Sequence, residues 1–579
     1  MLLIPRQRFV AVFLMGAILL NSILETISIG LILPLVKLIT NPDAVQNYSM
    51  IVRFAGFFGL TDNRDILIYI FSFFIAVYIC KTVYFISLTY FQQRFIANIL
   101  YSLSTRLLKI YLHSPWTFHL RKNSAELQNN VINQAGSICT ALISSVLNLS
   151  TEILVTTAII ILLLFIDPIA TLLAMLLIGI TSLLFFYVIR GKLEGYGLIA
   201  QKFYTKMIKT VNEAFGGIKE TKVLGREDYF VKTFGKNNLE YAKSWVYPSL
   251  IHQVQRSTIE ILFIGSIVTI SLYILIAGKE TSYLISILAL FAVAAFRLMP
   301  SINRINNAIS IIKYNTPILN TIYNDIRVPL KKETITESIS QSIPTVLILQ
   351  ESIELENVCF RYPGTKHNIL DSISLSIPKG YSTGFIGPSG AGKTTIVDII
   401  LGLLKPDAGK VLVDGRDINE NLKLWQQRIG YIPQNIYLSD NTIRRNIAFG
   451  LDDTEIDDDK VWAAIRNAQL DEVISALPEG LDTRIGEHGL RMSGGQRQRI
   501  GIARALYNDP EVLVMDEATS SLDTETEREI SNAIDRLSGH KTLLIIAHRM
   551  TTVEKCDMRF YIRNGKIEKI LMKEKKEVG

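Results

Sequence analysis

Cysteine is scarce: four residues, Cys80, Cys139, Cys359 and Cys556, are spread through 579, and no two stand at a C-x-x-C or other paired spacing. That excludes a disulfide framework and a thiolate metal site as the basis of the fold. Charge of one sign is not in large excess either, with 60 Lys and Arg against 53 Asp and Glu and a net +7. Basic residues in the cytoplasmic loops of a membrane protein account for that balance without a nucleic-acid partner. No cleavable-signal pattern opens the chain, because the first apolar run is too long and lacks a small-residue cleavage site. That run is expected to stay as a membrane span. No internal repeat is present, which leaves one membrane half and one soluble domain per chain.

Apolar sequence is what the chain has in quantity. Hydrophobic residues make up 49% and the mean hydropathy is +0.29, too apolar for a single soluble domain of this length. Six stretches, near 9–39, 66–91, 136–166, 168–189, 257–277 and 282–312, reach the roughly 20 residues a bilayer crossing requires. Only Asp167 and Pro168 separate the third from the fourth, which predicts a tight hairpin. The polar stretches between spans two and three, and between four and five, keep a helical pattern, so these helices are expected to run on beyond the membrane. Basic residues gather before span one (Arg6, Arg8) and in 98–135 and 190–256, and are few in 41–65, 167–168 and 278–281. The positive-inside rule then places both termini and both long loops in the cytoplasm.

After the polar connector KKETITESISQSIP (331–344), short β-branched runs alternate with helical segments. The expected fold is an α-helical membrane domain of six long transmembrane helices (1–325), a linker (326–350) and an α/β domain (351–579), which the motifs that follow mark as a P-loop ATPase.

In that second domain GFIGPSGAGKTT (384–395) fits G-x-x-x-x-G-K-[ST]. From Gly387 through Pro388, Ser389, Gly390, Ala391 and Gly392, such a loop brings backbone N–H groups up to phosphate oxygens. Lys393 then neutralises the β- and γ-phosphates, and the Thr394 hydroxyl, with Thr395 beside it, faces Mg²⁺. The stretch EVLVMDEA (511–518) reads as a buried strand ending in two carboxylates. Asp516 is placed to reach Mg²⁺ through water, and Glu517 to orient or deprotonate the attacking water.

MSGGQRQRIGIARAL (492–506), lying just before that strand, resembles the signature of ATP-binding cassette (ABC) transporters. In the same family order, YIPQ (431–434) resembles the Q-loop, SSLD (520–523) the D-loop, IIAHR (545–549) the switch histidine, FRYPG (360–364) the aromatic A-loop and TRIGEHG (483–489) an exporter loop. The departures, Met492 for Leu and Ser521 for Ala, remove no catalytic group. The resemblance implies that Tyr362 stacks on adenine, that Gln434 serves catalysis and the metal, that His548 assists hydrolysis and that Asp523 belongs to the nucleotide site. It also implies that Ser493, Gly494, Gly495 and Gln496 meet ATP bound to a partner chain. One cassette per chain therefore implies a dimer, and intact motifs imply a homodimer that uses ATP and Mg²⁺. Short helices at the tips of the long loops couple the domains in such exporters; the candidates are around Ser124–Asn130 and Phe215–Leu224, the latter broken at Gly216-Gly217.

Three cations remain: Lys81 in span two, Arg256 at the start of span five and Arg297 in span six. Lys81 and Arg297 each lie 15 residues past their outer ends, about 22 Å down at 1.5 Å per residue. The three have two readings: a cation layer for an anionic head group, or side chains that snorkel to lipid phosphates. Glu25 in span one offers either of them a partner, and Pro34 and Pro300 are expected to kink their helices. LETISIGLILPLV (24–36) and FRLMPSINRI (296–305) resemble segments of bacterial lipid-linked oligosaccharide flippases. That resemblance implies transfer of a polyprenyl-pyrophosphate-linked glycan from inner to outer leaflet of a bacterial cytoplasmic membrane. The alternative is a multidrug or lipid A-like exporter with those cations dispensable. A peptide exporter with a leading protease domain, a soluble cassette ATPase and an importer fit the span count and domain order less well.

Overall fold

In a computed structural model the chain is described at residues 4–31, 63–276, 281–336, 348–516 (except 366, 487, 488 and 490), 536–546 and 553–573. It divides into two compact units, Met1–Ser114 with Lys122–Ser338, and Pro115–Arg121 with Ile339–Gly579.

Among the described residues the first unit is helical. Its long helices are α1 (Pro5–Gly30), α2 (Asn63–His113), α3 (Ser124–Ile166), α4 (Pro168–Gly216), α5 (Glu227–Ile276) and α6 (Thr281–Thr336). Five of them carry a window long and apolar enough to cross a membrane; the sixth, α4, opens with the apolar stretch Pro168–Leu177. The helices run past the apolar windows, as the polar helical patterning predicts. Phe9, Phe13, Phe73, Ile79, Phe165 and Ile276 point outward from the unit. Large apolar side chains on the outside are what a hydrocarbon solvent selects. Inside, Val155, Ile159 and Leu163 of α3 pack with Phe263 and Ile270 of α5 and Leu290, Phe291 and Ala294 of α6.

The Asp167–Pro168 turn is as tight as its two residues require. The Asp167 carboxylate accepts the N–H of Ala170, capping α4, while Pro168 occupies the first helical turn, where no N–H is needed. α3 departs from regular geometry: Asn130–Gln134 and Ile138–Ile143 are π-helical turns. α5 continues through Pro248 and α6 through Pro300, while Pro34 lies outside the described residues. A network outside the apolar windows ties α2, α3 and α6. The Tyr111 hydroxyl donates to Asp325 Oδ2 at 2.7 Å, and Asn130 Nδ2 donates to the same oxygen at 3.1 Å. Burial first, and then that bond, hold the phenol well above its ordinary range.

The second unit carries two sheets. A four-stranded antiparallel sheet has β1 (Ser352–Phe360), β2 (Leu370–Pro378), β4 (Ala408–Val413) and β5 (Arg416–Asp417) in the order β2-β1-β4-β5. A six-stranded sheet, β10-β9-β3-β8-β7-β6, is built on β3 (Ser382–Ile386), β6 (Ile429–Ile432), β7 (Val512–Asp516), β8 (Thr542–Ile546), β9 (Met558–Arg563) and β10 (Lys566–Met572). Strands β6, β7, β8, β3 and β9 run parallel, and only β10 is antiparallel. β3, β7 and β8 are almost wholly buried, which is why they read as unbroken apolar runs.

Candidate functional site

In an open parallel sheet, ligands bind beyond the carboxyl ends of the strands. β3 ends at Ile386 and runs directly into the loop 387–392, which feeds α7 (Lys393–Ile400). Gly392 has φ +103°, a left-handed value that favours glycine. At Gly387 a Cβ would stand 2.2 Å from the Ile562 carbonyl oxygen, so only glycine lets the loop lie against β9. The result is a glycine-rich turn leading into a helix N-terminus, the arrangement that receives phosphate.

Lys393 is 5% exposed, and its ammonium donates to the carbonyls of Gly387 at 2.8 Å and Pro388 at 3.0 Å. The adjoining hydroxyls divide their work. Thr395 is buried, with Oγ1 3.3 Å from the Tyr362 hydroxyl, whereas Thr394 is exposed at the helix start. Tyr362 packs edge-on against Phe360 with ring centroids 5.0 Å apart, which holds the predicted adenine platform beside the loop.

Asp516 closes β7, two strands from β3. Burial and the Asp516 charge push the carboxyl of Asp398, on α7, up to about 6. Burial and the same two carboxylates push Tyr431 up to about 12. This acidic edge was not legible from motifs, because Asp398 lies outside every one of them. Thr394, Asp516 and Gln434 offer hard oxygen donors beside a phosphate cradle, a set that fits Mg²⁺. The ion would neutralise phosphate charge there.

The signature begins as a helix start. Ser493 Oγ accepts the N–H of Gln496 at 3.2 Å, and Gln496 Oε1 accepts the N–H of Ser493 at 3.0 Å, a reciprocal cap on α8 (Gly494–Leu506). Gly495 is buried and Gly494 opens the helix. Glu517, Asp523 and His548 lie outside the described residues. The loop candidates for coupling contain short helices, Ser124–Asn129, the first turn of α3, and Ile218–Val223, which follows α4 after Gly217.

In the membrane unit two of the three cations meet, and they meet on a carboxylate. Lys81 Nζ is 3.0 Å from Glu25 Oε2, and Arg297 Nε is 2.6 Å from Glu25 Oε1. Sequence reasoning missed the continuation. Arg297 Nη1 is 3.7 Å from Glu152 Oε2, and Arg304 Nε is 2.5 Å from Glu152 Oε1. Arg297 also donates to Ser301 Oγ at 3.0 Å. The five residues form a ladder across α1, α2, α3 and α6, with three cations and two carboxylates, net +1. Its signal in the sequence was the presence of Glu25 and Glu152 inside apolar runs. Arg256 is exposed on α5 and takes no part in the ladder.

Two family profiles match the chain: "ABC transporter transmembrane region" over residues 9–299 and "ABC transporter" over 370–520. The ATP-dependent lipid A-core flippase of Ralstonia nicotianae is 29% identical over 484 residues, 83% of this chain and 80% of that protein. The protein of that name from Dechloromonas aromatica is 31% identical over 65% of this chain and 62% of its own length. Among solved structures, a bacterial Atm1-family ABC exporter with ATP bound aligns with TM-score 0.76 at 22% identity, covering 97% of this chain and 95% of that one.

Proposed function

From the premise that the chain belongs to the ABC transporters, as a multi-pass exporter that couples ATP hydrolysis to transport, we propose that a pair of these chains flips an amphipathic glycolipid of the lipid A-core kind. The lipid passes from the inner to the outer leaflet of a bacterial cytoplasmic membrane, with the cassettes on the cytoplasmic side.

The observation that carries this reading is the kinship with lipid A-core flippases along most of the chain, membrane region included. The charge ladder bears on the choice of head group. Lys81 and Arg297 are already paired with Glu25, and Glu152 engages Arg297 and Arg304. A pyrophosphate would have to displace carboxylates rather than enter a waiting cation layer, and separating partly buried ion pairs is costly. A polyprenyl-pyrophosphate-linked oligosaccharide is the second reading, favoured by the convergence of Lys81 and Arg297 at inner-leaflet depth. At the cassettes, Lys393 and Thr394 of one chain and Ser493–Gln496 of the other would enclose ATP and Mg²⁺. Glu517 and His548 would direct water at the γ-phosphate, assisted by Gln434 and Asp523.

The test is ATP-dependent flipping in proteoliposomes. A lipid A-type glycolipid, a polyprenyl-pyrophosphate saccharide and a hydrophobic dye are compared under the same conditions. The glycolipid is expected to flip and the dye to lag; preferential flipping of the polyprenyl substrate would reverse the order of the two readings. Glu517→Gln is expected to retain ATP and abolish turnover, measured as phosphate release, and brisk hydrolysis by that variant would remove Glu517 from its role.

A further inference from the structure

The membrane unit holds a cavity of about 720 Å³ walled by α3, α4, α5 and α6. Its lining has a consistent chemistry. None of the described lining residues is charged, although Lys and Arg are frequent in the flanking sequence. The polar groups are amides and hydroxyls, including Asn129, Gln134 and Asn315, which are 1%, 5% and 7% exposed. They are linked to each other: Asn133 Nδ2 donates to Asn129 Oδ1 at 3.3 Å, and Gln201 Nε2 donates to Gln134 Oε1 at 3.3 Å. Gln201 Nε2 also donates to Thr321 Oγ1 at 3.2 Å, Asn129 Nδ2 to Thr205 Oγ1 at 3.5 Å and Asn315 Nδ2 to the Ile311 carbonyl at 2.8 Å, and each amide oxygen has two lone pairs with which to accept a ligand hydroxyl.

Aromatic side chains share the lining. Tyr204 packs on Tyr241 (5.4 Å between centroids), Tyr241 on Trp245 (6.4 Å) and Trp245 on Tyr314 (5.8 Å). Trp245 keeps 51% of its surface exposed, so an indole face remains available. A second observation marks the place as built rather than residual. Both π-helical turns of α3 contribute to the lining, Asn133 and Gln134 from one and Ala141 from the other. Such turns cost helix geometry and recur where side chains must be re-aimed at a functional site.

Depth gives a third constraint. At 1.5 Å per residue from the Asp167 turn, Ile276 and Thr281, the polar lining lies about 40–55 Å down four separate helices. That is below the roughly 30 Å of hydrocarbon, at the level of head groups and cytosol. A separate, largely apolar pocket of about 320 Å³ is walled by the same four helices nearer their outer ends, and Asn306 and Asn307 are neighbours that line one pocket each.

Uncharged amides together with the exposed Trp245 and its neighbouring tyrosines suit a ligand with many hydroxyls, apolar C–H faces and no charge. We propose that this cavity binds a neutral saccharide, the amides bonding sugar hydroxyls and Trp245 stacking on a pyranose face. This rests on the glycolipid reading above and extends it: the sugar is held here, apart from the charge ladder.

The experiment uses the full-length chain in phosphatidylcholine vesicles and reads tryptophan emission. The probes are free maltotriose and chitotriose, a trisaccharide-bearing lipid in the vesicle, and the same lipid without sugar. A saturable emission change with sugar-bearing probes, lost in Trp245→Phe and shifted about three- to tenfold to weaker binding in Gln201→Ala, is the expected result. Melting temperature checks that both variants fold. A response to the free sugars as well as the lipid assigns the site to the saccharide alone; a response to the lipid only assigns it to a membrane-tethered head group. No change with any sugar-bearing probe, or a change that persists in Trp245→Phe, overturns the proposal. Flipping of the glycolipid in the same vesicles reports separately on the transport reading, so either can fail without the other.

Discussion

Lys393 and Lys81 are both largely buried lysines, and they differ in what they rest on. The Lys393 ammonium sits on two carbonyl oxygens of its own loop, which carry dipoles but no net charge. Lys81 sits on Glu25, a full carboxylate shared with Arg297. The first lysine is held against the loop that is expected to receive a phosphate. The second has its charge cancelled by a neighbour. A polar group at the nucleotide site is poised for a ligand, whereas a polar group in the membrane ladder is satisfied by the protein itself. The cost of charge at membrane depth accounts for the carboxylate beside Lys81, since an uncompensated cation there is far more expensive than one beside water.

The comparison is sharpest where it predicts the largest effect. Lys393→Ala removes the only charge the phosphate loop supplies, and ATPase activity is expected to fall about a hundredfold or more, read as phosphate release. Glu25→Gln should act on folding instead. It leaves Lys81 without its carboxylate and Arg297 with Glu152 at 3.7 Å, at about 3–5 kcal/mol, seen as a lower melting temperature in nanodiscs. Adding Lys81→Met to that variant should recover part of the loss. If Glu25→Gln leaves the melting temperature unchanged, the two lysines are alike and the distinction fails. Tyr111→Phe deletes the bond donated to Asp325 and the one accepted from Asn130, and should cost about 1–2 kcal/mol in the same assay. Arg304→Ala should cost less than about 1 kcal/mol, because its side chain is 48% exposed at the end of the ladder.

What could be read from the chain alone follows from local pattern. Six apolar runs announced the membrane helices, and the two-residue interruption at 167–168 announced the hairpin. The run GPSGAGK announced the phosphate loop, because glycine spacing and a following helix are consequences of neighbours in sequence. Asp398 was not legible, since its carboxyl matters only by facing Asp516, more than 100 residues away. Nor could the direction of Arg256 be read: a basic residue at a helix start can turn either way, and here it is exposed.

By itself the sequence determined the elements, their order and the chemistry at each element's end, because helix period, strand alternation and loop glycines act over a few residues. The tertiary structure alone decided that Glu25 and Arg297, 272 positions apart, share a bond, and that four helices enclose a neutral polar cavity. Those outcomes depend on how helices rotate against one another to bury their polar groups in pairs. That choice is made by packing among distant segments and leaves no local period to read.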